Sequence, residues 1–219
     1  MEAADQGANS PAPLAELVRE AARLGLTLSD TQVARFRIYI DTLLLWRSRL
    51  SLTTAATPQA IVRSHILDSL ALCRFVESTM RIADLGSGAG FPGIPVAIAC
   101  DGAHVSLVES RRKKANFLRE VVRAATLANA EVIEARAEDL TGHPSAPWDL
   151  VVSRAVWPLH DFLDVSERIL KTGALAVAMK GPQSMNEALR YGGPLVQADT
   201  VEYELLTGAR HRLLVYRKP

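Results

Sequence analysis

The sequence predicts a doubly wound α/β domain that carries a helical extension at its N terminus. Apolar residues at helical spacing fill the first third of the chain, and short β-type runs then alternate with helical stretches. Two further β-type runs close the chain with no helix between them. Strands that alternate with helices form parallel sheets with right-handed crossovers. We therefore expect a seven-stranded sheet whose last two strands form an antiparallel hairpin at one edge.

The N-terminal part divides into a loose tail and three helices. Residues 1–13 are rich in Ala, Pro, Gly, Asn and Ser and have no periodicity, which predicts a disordered tail. Ser29 and the Thr57-Pro58 pair are helix-start signals. A helical subdomain is predicted over 14–78, with helices at 14–28, 30–49 and 60–75.

The β-type runs begin after this region and define a second domain over 79–219. The predicted strands are 81–85, 104–108, 130–134, 150–153, 174–179, 200–206 and 212–216. The predicted helices between them are 94–100, 112–128 and 158–170. The two adjacent strands at the end resemble the methyltransferase version of the doubly wound fold, because a dinucleotide dehydrogenase normally continues the alternation.

Composition limits the class of protein. The chain has 219 residues, of which 48% are hydrophobic and 22% are charged, as in ordinary globular domains. No apolar run approaches the roughly 18 residues of a membrane span, and the first thirteen residues carry no signal-peptide pattern. We expect a cytoplasmic protein without a membrane partner. Cys73 and Cys100 lack metal-ligand spacing, so they are interpreted as buried apolar residues and no metal is expected.

A glycine loop follows the first predicted strand. Asp84 ends that strand, and Gly86, Gly88 and Gly90 lead the chain into the next helix. Glycines permit positive φ and let a ligand approach the backbone at a helix N terminus. The frame Gly88, Gly90 and Gly93 also satisfies the dinucleotide pattern GxGxxG. Asp84, the 86/88/90 spacing and Pro92, which lacks an amide donor, favour S-adenosylmethionine over a pyrophosphate.

Three polar residues at later strand ends are candidates for the same site. Glu109 follows the second strand, where a carboxylate accepts the ribose hydroxyls of an adenosine, although it is also placed to cap the next helix. Ala137 and Glu138 follow the third strand, where they would meet the adenine edge unless Glu138 is a solvent-exposed loop acid. Arg154 ends the fourth strand, and its alternative role is a structural ion pair with Asp149 or Asp161.

Local charge points to an acidic partner more clearly than the net charge of +1 does. Between Arg35 and Arg74 six arginines stand against two aspartates, which predicts a basic patch unless these arginines pair elsewhere. A run of four bases, residues 111–114, opens the helix after Glu109, and a solvated helix face is the alternative for it.

As a set, these residues resemble the family of ribosomal small-subunit methyltransferase G, also called glucose-inhibited division protein B. The matching strings cover nearly the whole chain after the tail. They are Leu52-Thr53, His65-Ile66-Leu67-Asp68-Ser69-Leu70, the segment 84–95 (DLGSGAGFPGIP), Lys113-Lys114, Arg136-Ala137-Glu138, Ser153-Arg154-Ala155 and Met179-Lys180-Gly181. The sequence departs from the family pattern at Ser51, where Asn is usual, and at Ser64, where Arg is common.

The resemblance implies an S-adenosylmethionine-dependent enzyme that methylates guanine N7 in 16S rRNA or the small-subunit particle. Its cofactor contacts would fall on Gly86, Phe91, Ala137, Glu138 and Arg154, beside Gly88, Gly90 and Glu109 from the loop argument. Candidate substrate contacts are His65, Asp68, Ser69, Lys113, Lys114 and Lys180. N7 of guanine carries a lone pair and no proton, so no catalytic base is expected.

Three alternatives belong to other classes. An NAD-dependent oxidoreductase would use the Gly88, Gly90 and Gly93 frame as its dinucleotide loop. A small-molecule methyltransferase would share the cofactor site and have little use for the basic surplus. A non-catalytic ribosome-binding protein would keep the bases and tolerate a broken glycine loop, which this sequence does not have.

Overall fold

A twisted sheet of seven strands forms the centre of the molecule. The structure is a computed structural model that describes residues 12–154, 157–181 and 191–219. The strands are β1 (Arg81–Leu85), β2 (His104–Val108), β3 (Ala130–Ile133), β4 (Trp148–Arg154), β5 (Leu170–Lys180), β6 (Val196–Glu204) and β7 (Arg210–Arg217). Their order is β3-β2-β1-β4-β5-β7-β6. β1 to β5 are parallel, and β7 runs antiparallel between β5 and β6. The predicted seven strands and C-terminal hairpin are confirmed, with β7 inserted inside the edge strand.

Within the described ranges, six helices flank the sheet or precede it. They are α1 (Ala12–Arg23), α2 (Asp30–Leu50), α3 (58–75), α4 (Gly93–Ala99), α5 (Arg112–Ala124) and α6 (Leu159–Ile169). α3 is irregular: it contains a π turn at Val62–Ile66 and ends in a 3₁₀ turn at Ala71–Phe75. A further 3₁₀ turn spans Ala137–Leu140 after β3.

The predicted helix starts act as caps. The Ser29 hydroxyl accepts from the Gln32 amide, and the Gln32 side chain accepts from the Ser29 amide, so both donors are satisfied reciprocally. The Thr57 hydroxyl accepts from the Ala60 amide, with Pro58 in the first helical position.

Several predicted boundaries were wrong. α1 begins at Ala12, inside the predicted tail, and ends at Arg23, not residue 28. The rest of the predicted tail, residues 1–11, lies outside the described residues. α5 ends at Ala124, four residues early, because the chain turns there through Thr126, which has φ of 51°. β4 and β5 are longer than predicted, since their pairing continues past the apolar runs from which they were predicted.

Two hydrophobic layers cover the two faces of the sheet. The larger contains the apolar faces of α1 to α5, and the smaller contains α6 with Trp148. Residues of α1 to α3 therefore share one core with strands β1, β2 and β4. The division into a helical subdomain over 14–78 and a methyltransferase domain over 79–219 stays a prediction, and the two segments pack together across this core.

The end of α2 explains one departure from the family pattern. Ser51 caps α2 in the left-handed conformation, with φ of 48° and ψ of 47°. Asn adopts this conformation more readily than Ser because its side chain bonds locally to the backbone. The family's Asn thus suits a backbone position that Ser51 occupies here at some cost in stability.

No helix of the described ranges is long and apolar enough to cross a membrane.

Candidate active site

The glycine loop lies at the carboxyl edge of the sheet, between β1 and α4. Gly86, Gly88 and Gly90 have φ of 74°, 55° and 94°, the left-handed conformation that favours glycine. The amides of Gly86 and Ser87 both donate to the Val108 carbonyl, at 2.9 and 3.0 Å, which fixes the start of the loop to the end of β2.

Glu109 joins this loop to the next strand end. Its carboxylate accepts from the Gly88 amide at 3.0 Å and from the Arg111 amide at 2.8 Å, and the residue is 6% exposed. The bond to Arg111 holds the residue just before α5, which has no side-chain cap bond of its own, so the capping alternative stays a prediction. Each carboxylate oxygen has a second lone-pair site, so Glu109 retains acceptors for a ligand in the cavity.

Asp84 lies beneath the loop and is completely buried. One oxygen accepts from the Gly93 amide at 3.0 Å, and the other, Oδ1, has no hydrogen-bond partner among the described residues. Burial raises the pKa of Asp84 to about 7, against the opposing effects of the Gly93 amide, the Ser87 side chain and Arg154. A cation placed above the loop would stabilise the ionised form of the Asp84 carboxyl.

Helix α2 supports the loop from the N-terminal side. The buried Tyr39 hydroxyl donates to the Ala89 carbonyl at 2.7 Å. The side-chain amide of Gln32 donates to the carbonyls of Ile98 and Ala99 at the other end of α4. A Cβ at Gly90 would lie 2.7 Å from Ile94 and 3.2 Å from the Tyr39 hydroxyl. Gly90 therefore allows close packing against α2 and α4 and does not face the cavity.

A cavity of about 580 Å³ opens above the loop. This volume falls within the ~300–1,000 Å³ range of small-molecule sites. Most predicted cofactor residues line it: Gly86, Gly88, Phe91, Glu109, Ala137, Glu138 and Arg154. The wall also contains residues that the sequence analysis did not assign to the site: Leu52, Ser110, Ala135, Trp157 and Asp161.

Arg154 on the cavity wall pairs with Asp68, not with either predicted partner. Its Nη1 donates to Asp68 Oδ2 at 3.1 Å, while Asp149 instead accepts from Lys171 at 2.6 Å. The guanidinium stands 5.0 Å from the Phe91 ring centre, a cation–π contact.

His65 lies behind Arg154 in one defined protonation state. Arg154 Nη2 lies 2.8 Å from His65 Nδ1, and a guanidinium can only donate, so Nδ1 is unprotonated. Nε2 then carries the proton and donates to the Thr53 hydroxyl at 2.8 Å. Burial, with the nearby Arg154 charge, lowers the pKa of His65 to about 4. His65 is therefore neutral at physiological pH.

The structure separates the six predicted substrate residues. Lys114 lines the cavity, and Lys113 is exposed one residue away on the first turn of α5. The other four do not line it. Asp68 and Ser69 are buried, and the Ser69 hydroxyl donates to the His65 carbonyl at 2.7 Å. Lys180 donates to the Trp157 carbonyl at 2.6 Å, so it supports the wall from behind. Direct substrate contact by these four stays a prediction.

The predicted basic patch between Arg35 and Arg74 is not one surface. Arg63 pairs with Glu16 at 2.8 Å, and Arg35 donates to the Thr126 carbonyl near the end of α5. Arg74 lies with Lys171 and Gly173 at the opposite edge of the sheet. From the segment 35–74, Leu52, two residues after the end of α2, lines the cavity.

A different group of cations lies at the cavity or close in the chain to its lining residues; Arg111, Lys114 and Arg136 line the cavity itself. Across the described ranges, its seven members make no ion pair and no side-chain hydrogen bond: Arg47, Arg49, Arg111, Arg112, Lys113, Lys114 and Arg136. The last turn of α2 contributes two, and α5 lies beside it, with the Trp46 and Phe117 rings 6.1 Å apart. Farther along α5, Arg123 pairs with Glu120, and Arg119 pairs with Glu134.

Comparison with known proteins identifies the family. The family model described as rRNA small subunit methyltransferase G matches residues 32–208. A relative from Desulfitobacterium hafniense, named ribosomal RNA small subunit methyltransferase G, is 39% identical over 178 residues, 80% of this chain and 73% of that protein. The chain belongs to the methyltransferase G family.

Solved structures agree with this family at the level of the fold. TrmN from Thermus thermophilus gives a TM-score of 0.56 at 18% identity, over 70% of this chain and 49% of the Thermus chain. A precorrin-6y C5,15-methyltransferase from Geobacter metallireducens gives 0.53 at 16% identity, over 78% of this chain and 95% of the other. The Rossmann-like methyltransferase fold predicted from the sequence is confirmed.

Proposed function

We propose that this methyltransferase transfers a methyl group from S-adenosylmethionine to guanine N7 in 16S rRNA. The observation that carries the proposal is the position of Glu109, which meets the Gly88 amide at the wall of a 580 Å³ cavity above the glycine loop. Membership of the methyltransferase G family supplies the substrate class, since the relatives are named for small-subunit rRNA.

The cavity fits an adenosyl cofactor. Glu109 offers free acceptor sites for ribose hydroxyls, and Ala137 and Glu138 supply an amide and a carboxylate one strand further along. The buried Asp84 carboxyl, one oxygen of which has no described partner, is partly ionised near neutral pH, and its ionised form is complementary to a cationic ligand. S-adenosylmethionine, when bound, supplies a methyl group on a positively charged sulfur.

The residues near the cavity suit a reaction that needs positioning and no base. Guanine N7 has no proton to remove, and catalysis then rests on alignment and exclusion of water. His65 is neutral, its Nδ1 is occupied by Arg154, and its Nε2 is protonated. It is therefore no proton acceptor in this arrangement. The remaining Arg154 donors and the Phe91 ring are placed to orient a bound group.

The unpaired cations at and near the cavity favour RNA over a small-molecule substrate. Isolated charged side chains without partners are placed to neutralise phosphates, and phosphate contacts supply most of the salt-dependent affinity for nucleic acid. A small substrate within the cavity would have no use for Arg47 or Arg49 on α2. Irregular RNA is the expected target because unstacked bases can enter a pocket.

The oxidoreductase alternative has less support. In its frame, Gly90 and Gly93 would face a pyrophosphate. A Cβ at Gly93 would instead lie 2.3 Å from Leu107 and 2.7 Å from the Asp84 carboxylate, and the Gly93 amide is already bonded to Asp84. Neither glycine lines the cavity.

Transfer of labelled methyl groups tests the proposal. The purified protein is incubated with methyl-tritiated S-adenosylmethionine and small-subunit particles, free 16S rRNA or large-subunit rRNA. We expect label in small-subunit RNA alone, and calorimetry should detect S-adenosylmethionine binding without NADH binding. Label absent from every RNA, or tight NADH binding, would overturn the assignment.

A further inference from the structure

A buried carboxylate links the C-terminal hairpin to the cavity wall. Asp68, on α3, is 1% exposed and accepts hydrogen bonds on both oxygens. Oδ1 accepts from the Tyr203 hydroxyl at 2.6 Å and from His211 Nδ1 at 2.8 Å. Oδ2 accepts from Arg154 at 3.1 Å. Three elements therefore meet at one side chain.

The two hairpin donors form a matched pair. Tyr203 on β6 and His211 on β7 are register partners across the antiparallel ladder, with ring centres 6.0 Å apart. Their side chains therefore reach Asp68 from adjacent positions on one face of the hairpin. Burial and the Asp68 charge raise the pKa of Tyr203, so its hydroxyl stays protonated and donates.

We propose that Tyr203 and His211 are positioning residues that act through Asp68 to hold Arg154 at the cavity wall. With both donors present, the lone-pair sites of Oδ1 are filled and the carboxylate cannot rotate. Oδ2 is then fixed toward Arg154, whose guanidinium is held on its other sides by His65 and the Phe91 ring. The inference rests on the proposed function, because it assigns Arg154 to the cofactor cavity.

The alternative is that the hairpin contacts serve stability alone. Hydrogen bonds to a charged, buried acceptor stabilise a fold whatever lies beyond the acceptor. The two roles differ in one respect. If the role is positioning, loss of the Tyr203 hydroxyl should lower ligand affinity when Arg154 is present and not when Arg154 is replaced. If the role is stability alone, the effect of losing the hydroxyl should be the same with either residue at position 154.

The first experiment compares two tyrosines of the same hairpin. Tyr203→Phe removes one bond to Asp68, and Tyr216→Phe is the control because the Tyr216 hydroxyl is buried with no partner in the described part of the chain. We expect Tyr203→Phe to weaken S-adenosylmethionine binding about tenfold by calorimetry, the effect of one bond to a charged group. The single-turnover methyl-transfer rate should fall as well. Tyr216→Phe should change neither quantity.

A second pair of variants tests the imidazole and guards against misfolding of Tyr203→Phe. His211→Asn keeps a nitrogen donor at the position of Nδ1, whereas His211→Leu keeps none. We expect affinity within about threefold of wild type for the first and a loss of about tenfold for the second. Equal loss in both variants would contradict a donor role.

A double-mutant cycle decides the route. In an Arg154→Lys background the paired contacts of the guanidinium with Asp68 and His65 are already lost. Tyr203→Phe should therefore add little further loss of S-adenosylmethionine affinity. The same tenfold loss in both backgrounds, or no loss in either, would overturn the inference. Absence of cofactor binding by the wild type would instead refute the proposed function, so the two failures are distinguishable.

Discussion

Replacement of Glu109 by Gln should damage both the loop and the cofactor site. The carboxylate presents an oxygen to each of two amides, those of Gly88 and Arg111. Gln has one oxygen, so its NH₂ group must face one of those amides and leave that buried donor unpaired. The unfolding free energy should fall by about 1–3 kcal/mol, and S-adenosylmethionine should bind about 2–3 kcal/mol more weakly, or ~30-fold to ~150-fold in Kd.

Denaturant titration and calorimetry measure these two quantities. Glu134→Gln is the matched control, because Glu134 makes a partly exposed ion pair with Arg119 and does not line the cavity. Such pairs contribute about 0–1 kcal/mol, so the control should keep wild-type affinity and nearly full stability. A Glu109→Gln protein that folds and binds S-adenosylmethionine like the wild type would refute the account of this site.

Three further variants test other parts of the site. Gly88→Val should abolish measurable S-adenosylmethionine binding while the protein stays folded, because Gly88 lines the cavity and no protein atom lies within 3.7 Å of the added Cβ. Gly142→Val is the control: Gly142 has φ of 79° and open surroundings, so its substitution strains the backbone in the same way but lies away from the cavity. Asp84 binds a proton more tightly in the folded state, with a pKa of about 7 against 3.8 unfolded, so wild-type stability should fall as pH rises from about 4 to about 7, by up to about 4 kcal/mol. Denaturation of Asp84→Asn at pH 5 and pH 8 should lack this decline, and an unchanged pH dependence would contradict the burial effect. Lys114→Ala should weaken rRNA binding and reduce the slope of log affinity against log salt concentration by roughly 0.7 per lost contact. Arg168→Ala, on the last turn of α6, should change neither quantity. Equal slopes for the two variants in filter binding would show that Lys114 does not contact the RNA.

The sequence predicted the features that depend on local pattern. The parallel strands follow from the alternation of strands with helices, and the caps at Ser29 and Thr57 follow from residue type. Glu109 and Arg154 could be assigned to the site because parallel strands end at the same edge, so position in the chain determines position in the cavity.

Contacts between distant segments were beyond such reasoning. Asp68 meets Tyr203 and His211 across 135 and 143 positions of the chain, and no local pattern indicates that a hairpin residue contacts α3. The support of the loop by Tyr39 is of the same kind, since its partner is a backbone carbonyl with no side-chain signal.

The charge prediction failed for a related reason. A count of basic residues along the chain gives Arg35, Arg63 and Arg47 the same weight. In the structure, however, Arg35 is bonded to the Thr126 carbonyl and Arg63 to the Glu16 carboxylate. The cations that line the cavity are Arg111 and Lys114 at the start of α5 and Arg136 after β3, and only the fold brings these two segments together.

The chemical position of the transferred methyl group decides whether this protein methylates guanine N7 in small-subunit rRNA. Small-subunit rRNA from cells with and without the protein is mapped for N7-methylguanine by borohydride and aniline cleavage, and the purified protein is then added to the unmodified particles with S-adenosylmethionine. We predict one cleavage site that is absent without the protein and restored by the wild type, but not by Gly88→Val. Methylation at another atom, in another RNA, or at the same level in both cell types would contradict the account.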